Sequence, residues 1–246
     1  MLPEPLFRLA AGNAPAFTCP VCDYAGPFRT YYPGSGKRRH AQCPRCRALE
    51  RHRLQCVCFR DITANRDLSN SRMLHVAPED FFRRLFRQLG IGHYETGDLA
   101  MKGVDHVIDL CDLPFPDESY DIVYASHVLE HIKDDRRAMA EIYRILLPGG
   151  LAILPVPIVV NETVEYDTPN PLEEYHVRAP GPDYFDRYEE IFDEVTLIAS
   201  SDYPPEYQLF IYEDRSAYPN AVCPQRTPMT GERHSDFVPV CHKAAD

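Results

Sequence analysis

Residues 72–90 read RMLHVAPEDFFRRLFRQLG, and this stretch decides the fold class. It opens with an apolar run that is typical of a strand buried on both faces. From Pro78 onward the apolar residues recur at helical spacing, and Gly90 ends the pattern. A buried strand that turns directly into a helix is the usual opening of a nucleotide-binding α/β domain. The turn itself, HVAPED, lacks the glycines that such a turn normally carries.

Further strands and helices alternate after this opening. Apolar or alternating runs predict strands within residues 93–99, 104–110, 120–129 and 151–158. Residues 134–150 predict a helix that has an aspartate cap and ends at a Pro-Gly-Gly sequence. This alternation predicts a doubly wound, mostly parallel sheet whose ligands bind above the carboxyl ends of the strands.

The chemistry of the glycine-poor turn limits the ligand. Glu79 and Asp80 fall in the first turn of the predicted helix, where carboxylates suit the helix dipole but repel a phosphate. NAD, FAD and ATP are therefore disfavoured at this position. S-adenosylmethionine carries an adenosine, a sulfonium and an ammonium but no phosphate, so the turn favours this cofactor. The alternative is that Glu79 only caps its helix, and the sequence leaves both interpretations open.

The N-terminal region contains two CxxC pairs, CPVC and CPRC, separated by twenty residues. Two such pairs at this separation are typical of a zinc site with four thiolates. The predicted ligands are Cys19, Cys22, Cys43 and Cys46. A closed site of this kind is structural and supplies folding energy to a short module. Disulfides and a redox CxxC fit less well, while iron remains open as an alternative to zinc.

The charge is distributed unevenly over the 246 residues. The net charge is −11, but residues 19–60 hold nine lysines and arginines against two carboxylates. Such a segregated basic segment can bind an anionic partner, but ordinary solvated or paired arginines are the favoured explanation. The longest apolar run, residues 151–160, contains two prolines and is too short to cross a membrane. With no signal-peptide pattern at residues 1–16, we expect a soluble cytoplasmic protein with no membrane partner.

Residues 109–154 contain LPFPDESYD, VLEH and RILLPGG, and these motifs resemble class I S-adenosylmethionine-dependent methyltransferases of the type 11 group. The segments CRALERHR and LHVAPE resemble a subset that carries an N-terminal cysteine module and a glycine-poor first turn. The resemblance implies a Rossmann-like methyltransferase fold with seven strands and a small zinc-ribbon module. Residues 195–200 and 207–214 fit its sixth and seventh strands, with the last one antiparallel.

The resemblance also assigns roles to individual residues. His75, Ala77 and Glu79 are expected at the methionine part of the cofactor, and Asp98 at the ribose hydroxyls. Asp109 and the Leu110 backbone are expected at the adenine edge. Ser126 and His127 are expected to face the sulfonium and the substrate.

A general base is required if the methyl acceptor is an alcohol or an ammonium group. The candidate bases are His127, His131 and His176, since histidine titrates near neutral pH, although His131 can instead pack or cap. We expect His176 to be this base and regard His127 as the second choice. His176 lies in a segment that resembles the part of the family that closes over the substrate. Tyr166, Glu174 and Arg178 are expected as further substrate contacts.

These observations divide the chain into a cysteine module at residues 1–60, a methyltransferase domain at 61–214 and a C-terminal extension at 215–246. The favoured function is methyl transfer to a small molecule such as a metabolite, glycan or natural product. Two alternatives remain open, an RNA methyltransferase that binds RNA through the basic module and a non-catalytic zinc-ribbon interaction protein.

Overall fold

The computed structural model describes residues 3–12, 14–34 and 36–245, which form two compact units. The first unit comprises Met1–Ile62 and Ala199–Asp236, and the second comprises Thr63–Ile198 and Phe237–Asp246. The helices are α1 (Glu4–Ala10), α2 (Glu50–Ile62), α3 (Asp80–Gln88), α4 (Asp135–Ile145) and α5 (Asp186–Glu189). Of the helices in these described ranges, none is long and apolar enough to cross a membrane.

Fifteen strands are described. They are β1 (Phe17–Thr18), β2 (Ala25–Gly26), β3 (Arg29–Tyr31), β4 (Arg38–Gln42), β5 (Arg72–Val76), β6 (His93–Asp98), β7 (His106–Val107), β8 (Tyr120–Ala125), β9 (Leu146–Ile153), β10 (Val164–Asn170), β11 (His176–Ala179), β12 (Glu194–Ala199), β13 (Ile211–Glu213), β14 (Arg233–His234) and β15 (Phe237–His242).

The second unit is built on a seven-stranded sheet with the order β12-β15-β9-β8-β5-β6-β7. Strands β5, β6, β7, β8 and β9 pair in parallel, while β15 pairs antiparallel with β9. The first strand of the fold, β5, therefore has β6 on one side and β8 on the other. This reversal of strand order is the switch point at which open α/β sheets bind ligands. The predicted fold class is confirmed.

The first crossover has the predicted form of a buried strand, a tight turn and an amphipathic helix. Helix α3 buries Phe82, Leu85 and Phe86 against the sheet, and Gly90 follows it at φ 71°. Positive φ is nearly free of strain for glycine, so Gly90 ends the helix as expected. Helix α4 begins at the predicted cap, because the Asp134 side chain accepts a hydrogen bond from the Arg137 amide.

The LPFPDESYD and RILLPGG motifs are joined by one side chain, Arg144. Its guanidinium donates to the carbonyls of Leu113 and Phe115 and pairs with Asp117 and Glu141. The loop before β8 is thereby held against the end of α4. These contacts explain why the two motifs occur together along the chain.

The last strand of the sheet differs from the prediction. Residues 207–214 do not enter the sheet, since β13 pairs with β4 and β14 in a separate four-stranded sheet. The antiparallel strand is β15, which lies between β12 and β9. Pro239 disguised it, because a proline within an apolar run argues against an internal strand.

The C-terminal residues are accordingly not one surface extension. Residues 199–236 pack with the N-terminal residues in the first unit, and residues 237–246 belong to the sheet unit. The sequence-based boundaries at residues 60 and 214 therefore do not follow the compact units. The sequence analysis missed strand β15, in which Val238, Val240 and Cys241 are almost fully buried.

Candidate active site and cysteine cluster

The carboxyl ends of β5, β6 and β8 bring the predicted cofactor residues to one edge of the sheet. In the parallel register, Val76 of β5 lies opposite Gly97 of β6 and Ala125 of β8. The next residues along the three strands are Ala77, Asp98 and Ser126. Side chains that lie far apart in the sequence are thus placed around the switch point.

The glycine-poor turn adopts a backbone conformation that glycine usually provides. Ala77 has φ 46°, and its amide donates to the Gly97 carbonyl at 2.8 Å. For a residue with a Cβ atom this conformation costs about 1–2 kcal/mol. Glu79 occupies the N-cap position of α3 but makes no side-chain capping hydrogen bond. Capping therefore does not account for this carboxylate.

Two aspartates follow the next two strands of the sheet. At Asp98, Oδ1 accepts hydrogen bonds from the amides of Ala100 and Met101 at 2.7 and 2.6 Å. These bonds fix the orientation of the carboxylate, and Oδ2 is the oxygen that a hydroxyl ligand can use. Asp109 is exposed, and its Oδ1 accepts from the Cys111 amide. Leu110 beside it is buried.

Leu99 and Met101 are functional candidates that the sequence analysis missed. They follow Asp98 directly, and they are 68% and 40% exposed. Exposed apolar side chains beside an anchored carboxylate offer a surface on which an adenine ring can lie. The signal in the sequence was DLAM, in which apolar residues continue past a strand-ending aspartate.

His75 lies inside the protein, away from the exposed residues of this edge. It is 1% exposed and packs among the rings of Phe82, Phe86, Tyr94 and Tyr124. Its Nδ1 lies 2.7 Å from the Tyr94 hydroxyl. Burial lowers the pKa of His75 to about 3, so the ring is neutral at physiological pH. The side chain supports the strand from within the core, in contrast to the predicted contact with the cofactor.

This histidine makes stability depend on pH. Between the folded pKa of about 3 and the ordinary pKa of 6.5, the unfolded chain binds a proton that the folded chain excludes. Stability therefore falls as the pH falls, by about 2 kcal/mol between pH 8 and pH 5 from this group. The variant His75→Phe lacks this contribution. Urea unfolding at both pH values should show a smaller loss in the variant, and equal losses would contradict the assignment.

Ser126 and His127 follow β8 at the switch point. Ser126 is buried, whereas His127 is 26% exposed and has φ 56°. The His127 amide donates to the Pro155 carbonyl at 2.8 Å, which fixes the strained backbone. Strained residues of this kind cluster at functional sites. Ala77 and His127 follow the neighbouring strands β5 and β8. The two residues with positive φ therefore lie at the same carboxyl edge of the sheet that the strand register identified.

Three histidines surround one buried carboxylate, Glu130. His127 Nδ1 lies 3.4 Å from Glu130 Oε1, and one ligand atom from each of Glu130, His131 and His176 falls within 4.8 Å of the others. The rings of His131 and His176 meet edge to face at 4.7 Å. The two predicted bases, His127 and His176, are thus brought to the same carboxylate.

Glu130 was not predicted from the sequence. It is fully buried, and neither oxygen receives a well-aligned hydrogen bond from the described part of the chain. Burial acts to raise the pKa of Glu130, but His127, together with His176 and His131, outweighs burial and lowers it. The carboxylate is therefore ionised at neutral pH. The sequence HVLEH held the signal, a glutamate between two histidines, and residues 129–131 form a 3-10 turn.

Arg178 has a different role from the predicted substrate contact. It is 1% exposed and donates to the carbonyls of Leu129, Ile132 and Lys133. It also pairs with Asp135 and Glu165. With its donors directed into the protein, Arg178 holds the turn that carries Glu130 and His131.

The other two predicted substrate contacts also differ in exposure. Tyr166 is buried and donates from its hydroxyl to Glu173 at 2.8 Å, so a substrate cannot reach it as the structure stands. Glu174 is exposed, at φ 54°, in the connection between β10 and β11. Of the three, only Glu174 presents its side chain to solvent.

The four predicted cysteine ligands converge in the first unit. The Sγ atoms of Cys19 and Cys46 are 3.6 Å apart, those of Cys22 and Cys43 are 3.7 Å apart, and all four lie within 4.8 Å of one another. A tetrahedral ion with metal–sulfur bonds of about 2.3 Å requires separations of ~3.8 Å. Disulfide bonds are excluded, because they require about 2.05 Å. Amides of Val21 and Arg45 donate to Cys19 and Cys43, as expected of CxxC knuckles.

Several of the basic side chains near this cluster form hydrogen bonds or ion pairs within the protein. Arg53 is fully buried and donates to four backbone carbonyls, while Arg38 pairs with the buried Glu50 at 2.9 Å. On the surface, Arg45 pairs with Glu4 and Arg39 with Glu232. Four of the nine basic side chains of this segment, Arg38, Arg39, Arg45 and Arg53, are therefore paired or enclosed within the protein, which supports the structural interpretation for these four.

Comparison with known proteins supports the resemblance inferred from the motifs. Residues 95–154 match the methyltransferase domain family. A protein of Mycolicibacterium smegmatis described as "Probable S-adenosylmethionine-dependent methyltransferase" is 36% identical over 28% of this chain and 26% of its own length. The demethylmenaquinone methyltransferase of Clavibacter sepedonicus is 34% identical over 35% of this chain and 36% of its own length. The chain therefore matches only about a quarter to a third of these relatives.

The fold extends beyond the matched segment. The crystal structure of the (4+2)-cyclase SpnF is similar to this chain, with a TM-score of 0.54 and 15% sequence identity. The alignment covers 98% of this chain and 93% of the SpnF chain. At this identity the likeness shows the fold alone. Because that protein is named as a cyclase, the shared fold does not fix the reaction.

Proposed function

We propose that this chain, which carries a segment of the methyltransferase domain family, is an S-adenosylmethionine-dependent methyltransferase that acts on a small molecule. The observation that carries the proposal is the grouping of Glu79, Asp98 and Asp109 at the carboxyl edge of the sheet. A cationic adenosyl cofactor without phosphate suits such an acidic edge, whereas a dinucleotide does not. The names of the two relatives support the same cofactor and a small acceptor.

The cofactor is proposed to lie across the switch point. Asp98 Oδ2 accepts from the ribose hydroxyls, and Asp109 with the Leu110 backbone holds the adenine edge above Leu99 and Met101. Ala77 and Glu79 line the methionine part, since the turn brings backbone and carboxylate to that end. Ser126 and His127 face the sulfonium, because they follow the neighbouring strand. His75 supports these residues from the core.

Methyl transfer is an in-line displacement, and the protein mainly positions the two reactants. Correct placement can contribute about 7–11 kcal/mol to lowering the barrier. The nucleophile of the acceptor forms a bond to the methyl carbon while the carbon–sulfur bond breaks, and S-adenosylhomocysteine leaves. Any acceptor proton passes to a base near the sulfonium.

We propose His127 as this base, with Glu130 holding its ring through Nδ1. His176 was the first choice from the sequence, but it is 9% exposed, whereas the His127 side chain is 26% exposed and lies two residues after β8. A base must reach the acceptor before its pKa matters, so the geometry favours His127. His176 then helps to hold Glu130 and His131.

Methyl-labelled S-adenosylmethionine tests the substrate class. A reduced naphthoquinone, a phenol and a primary amine should be screened beside bulk RNA as acceptors. Label in at least one small molecule and none in RNA is the expected result. Labelling of RNA alone would overturn the proposed substrate class, and no observation on the basic segment favours that outcome.

The variant His127→Asn tests the base once an acceptor is found. Asparagine tolerates the left-handed backbone at this position but cannot take up the proton. We expect turnover to fall about 100-fold, while the affinity for S-adenosylhomocysteine changes less than threefold. His93→Gln, at an exposed histidine that begins β6, is the matched control and should retain full turnover. Equal turnover in His127→Asn and the wild type would remove the base role.

The cysteine cluster is proposed to hold a structural zinc ion. Four thiolates at tetrahedral spacing close the coordination sphere, so no position remains for a substrate. Because zinc and iron share this geometry, metal analysis of the purified protein distinguishes them. One zinc ion bound by thiolates is expected, and iron in its place would correct the assignment.

A further inference from the structure

We infer that Glu130, His131 and His176 form a second metal site, distinct from the cysteine cluster, that takes a divalent transition ion such as Zn²⁺. Two imidazoles and one carboxylate are the donor set of many three-ligand sites that leave positions open for a further ligand. The inference concerns metal binding itself and stands apart from the reaction. Only the role of the ion in methyl transfer rests on the proposed function.

The carboxylate provides the first argument. Glu130 is completely enclosed, and no described residue gives either of its oxygens a well-aligned hydrogen bond. A buried charge without such bonds is costly, and buried charges in proteins are normally paired or bound to metals. The approach of His127 Nδ1 to Oε1 at 3.4 Å leaves Oε2 to a further partner.

The spacing of the donors provides the second argument. Ligand atoms of Glu130, His131 and His176 all lie within 4.8 Å of one another. Zinc bonds of about 2.0–2.1 Å in tetrahedral geometry place ligand atoms ~3.4 Å apart. The donor atoms therefore lie at most about 1.4 Å farther apart than this spacing, and the two rings meet at 4.7 Å.

The support of the donors provides the third argument. Glu130 and His131 lie on the 3-10 turn Leu129–His131, and His176 begins β11. Arg178, two residues along β11, donates to the carbonyls of Leu129 and Ile132 at 2.6 Å each. The guanidinium therefore joins the two elements that carry the donors. Metal sites require such preorganised backbones, because small displacements weaken coordination.

The position of the site suggests its use. His127, at the sulfonium side of the proposed cofactor position, precedes this turn, and its Nδ1 lies 3.4 Å from Glu130 Oε1. If the proposed function holds, an acceptor hydroxyl or carbonyl oxygen would reach an open position of the ion from the side of His131, the one partly exposed donor, since Glu130 and His176 are buried. Coordination lowers the pKa of a hydroxyl and fixes its direction. The acceptor class is then an oxygen-bearing small molecule.

Metal counting tests the site without any assay of activity. Protein saturated with Zn²⁺ and desalted should contain two zinc ions per chain, and Glu130→Gln and His131→Gln should each contain one. His106→Gln is the matched control, because His106 also pairs with a glutamate, Glu95, at 3.1 Å in the same unit. This control should keep two ions. Circular dichroism spectra of the variants should match that of the wild type, which checks that the variants fold.

Cobalt distinguishes the two sites by their donors. Co²⁺ bound by thiolates gives strong sulfur-to-metal charge-transfer bands, whereas a site of nitrogen and oxygen donors gives only weak ligand-field bands. The weak bands should be lost in Glu130→Gln while the strong bands persist. One zinc per chain in saturated wild type, or two in Glu130→Gln, would overturn the inference and leave Glu130 balanced by histidine alone. A failure to bind S-adenosylhomocysteine would contradict the proposed function without affecting this count.

Discussion

Replacement of Cys43 by serine should abolish metal binding at the cysteine cluster and unfold the N-terminal residues around it. Cys43 is completely buried, and the core beside it is small, with Cys19, Tyr24 and Phe28 as its other buried members. Binding of structural zinc in modules of this size is worth about 10–16 kcal/mol. Whole domains are stable by only about 5–15 kcal/mol, so the module cannot remain folded without the ion.

Metal analysis and amide hydrogen exchange measure this effect. In Cys43→Ser, one zinc equivalent should be lost, and protection should disappear for amides near Cys19 and Cys46. Cys111→Ser is the matched control, because Cys111 is partly exposed and belongs to the sheet unit, whereas the cluster belongs to the first unit. It should keep both the metal and the protection. Full zinc content in Cys43→Ser would show that the cluster is not the site of binding.

Replacement of Asp98 by alanine should weaken the binding of S-adenosylhomocysteine about 1,000-fold. The carboxylate is proposed to accept two ribose hydrogen bonds, and bonds to a charged group contribute about 1.5–3 kcal/mol each. A loss of about 4 kcal/mol corresponds to this change in Kd. The side chain also anchors the amides of Ala100 and Met101, so the alanine variant loses part of its loop geometry as well.

Asp98→Asn separates these two effects. Its remaining carbonyl oxygen can still accept from the Ala100 and Met101 amides, while the second acceptor becomes a donor. We expect the affinity to fall at least tenfold with the loop intact. Asp186→Ala, at an exposed aspartate that begins α5, is the control and should bind normally. Normal binding by both Asp98 variants would exclude the ribose contact.

The central strands could be predicted because their signals are local. Residues 72–76 form an apolar run, and the helix after it carries its own spacing and stop at Gly90. The metal ligands could be predicted equally well from the CxxC pairs, since the two cysteines of each pair lie within one turn. Pro239 concealed β15, because a prediction from local pattern cannot see that this strand lies between β12 and β9.

The acceptor side of the site depends on long-range pairing that the sequence does not display. His176 meets Glu130 and His131 only because the hairpin of β10 and β11 packs on the turn at residues 129–131. Arg178 was interpreted as a substrate contact from its place in the motif. Its carbonyl partners lie more than forty residues away, so its supporting role emerges only from the structure.

A calorimetric titration of the wild-type protein tests the central claim, that an adenosyl cofactor without phosphate binds at the carboxyl edge beside Asp98. The account predicts that one equivalent of S-adenosylhomocysteine binds per chain and that NAD and ATP produce no binding heat. Saturable binding of NAD or ATP, with no response to S-adenosylhomocysteine, would contradict it.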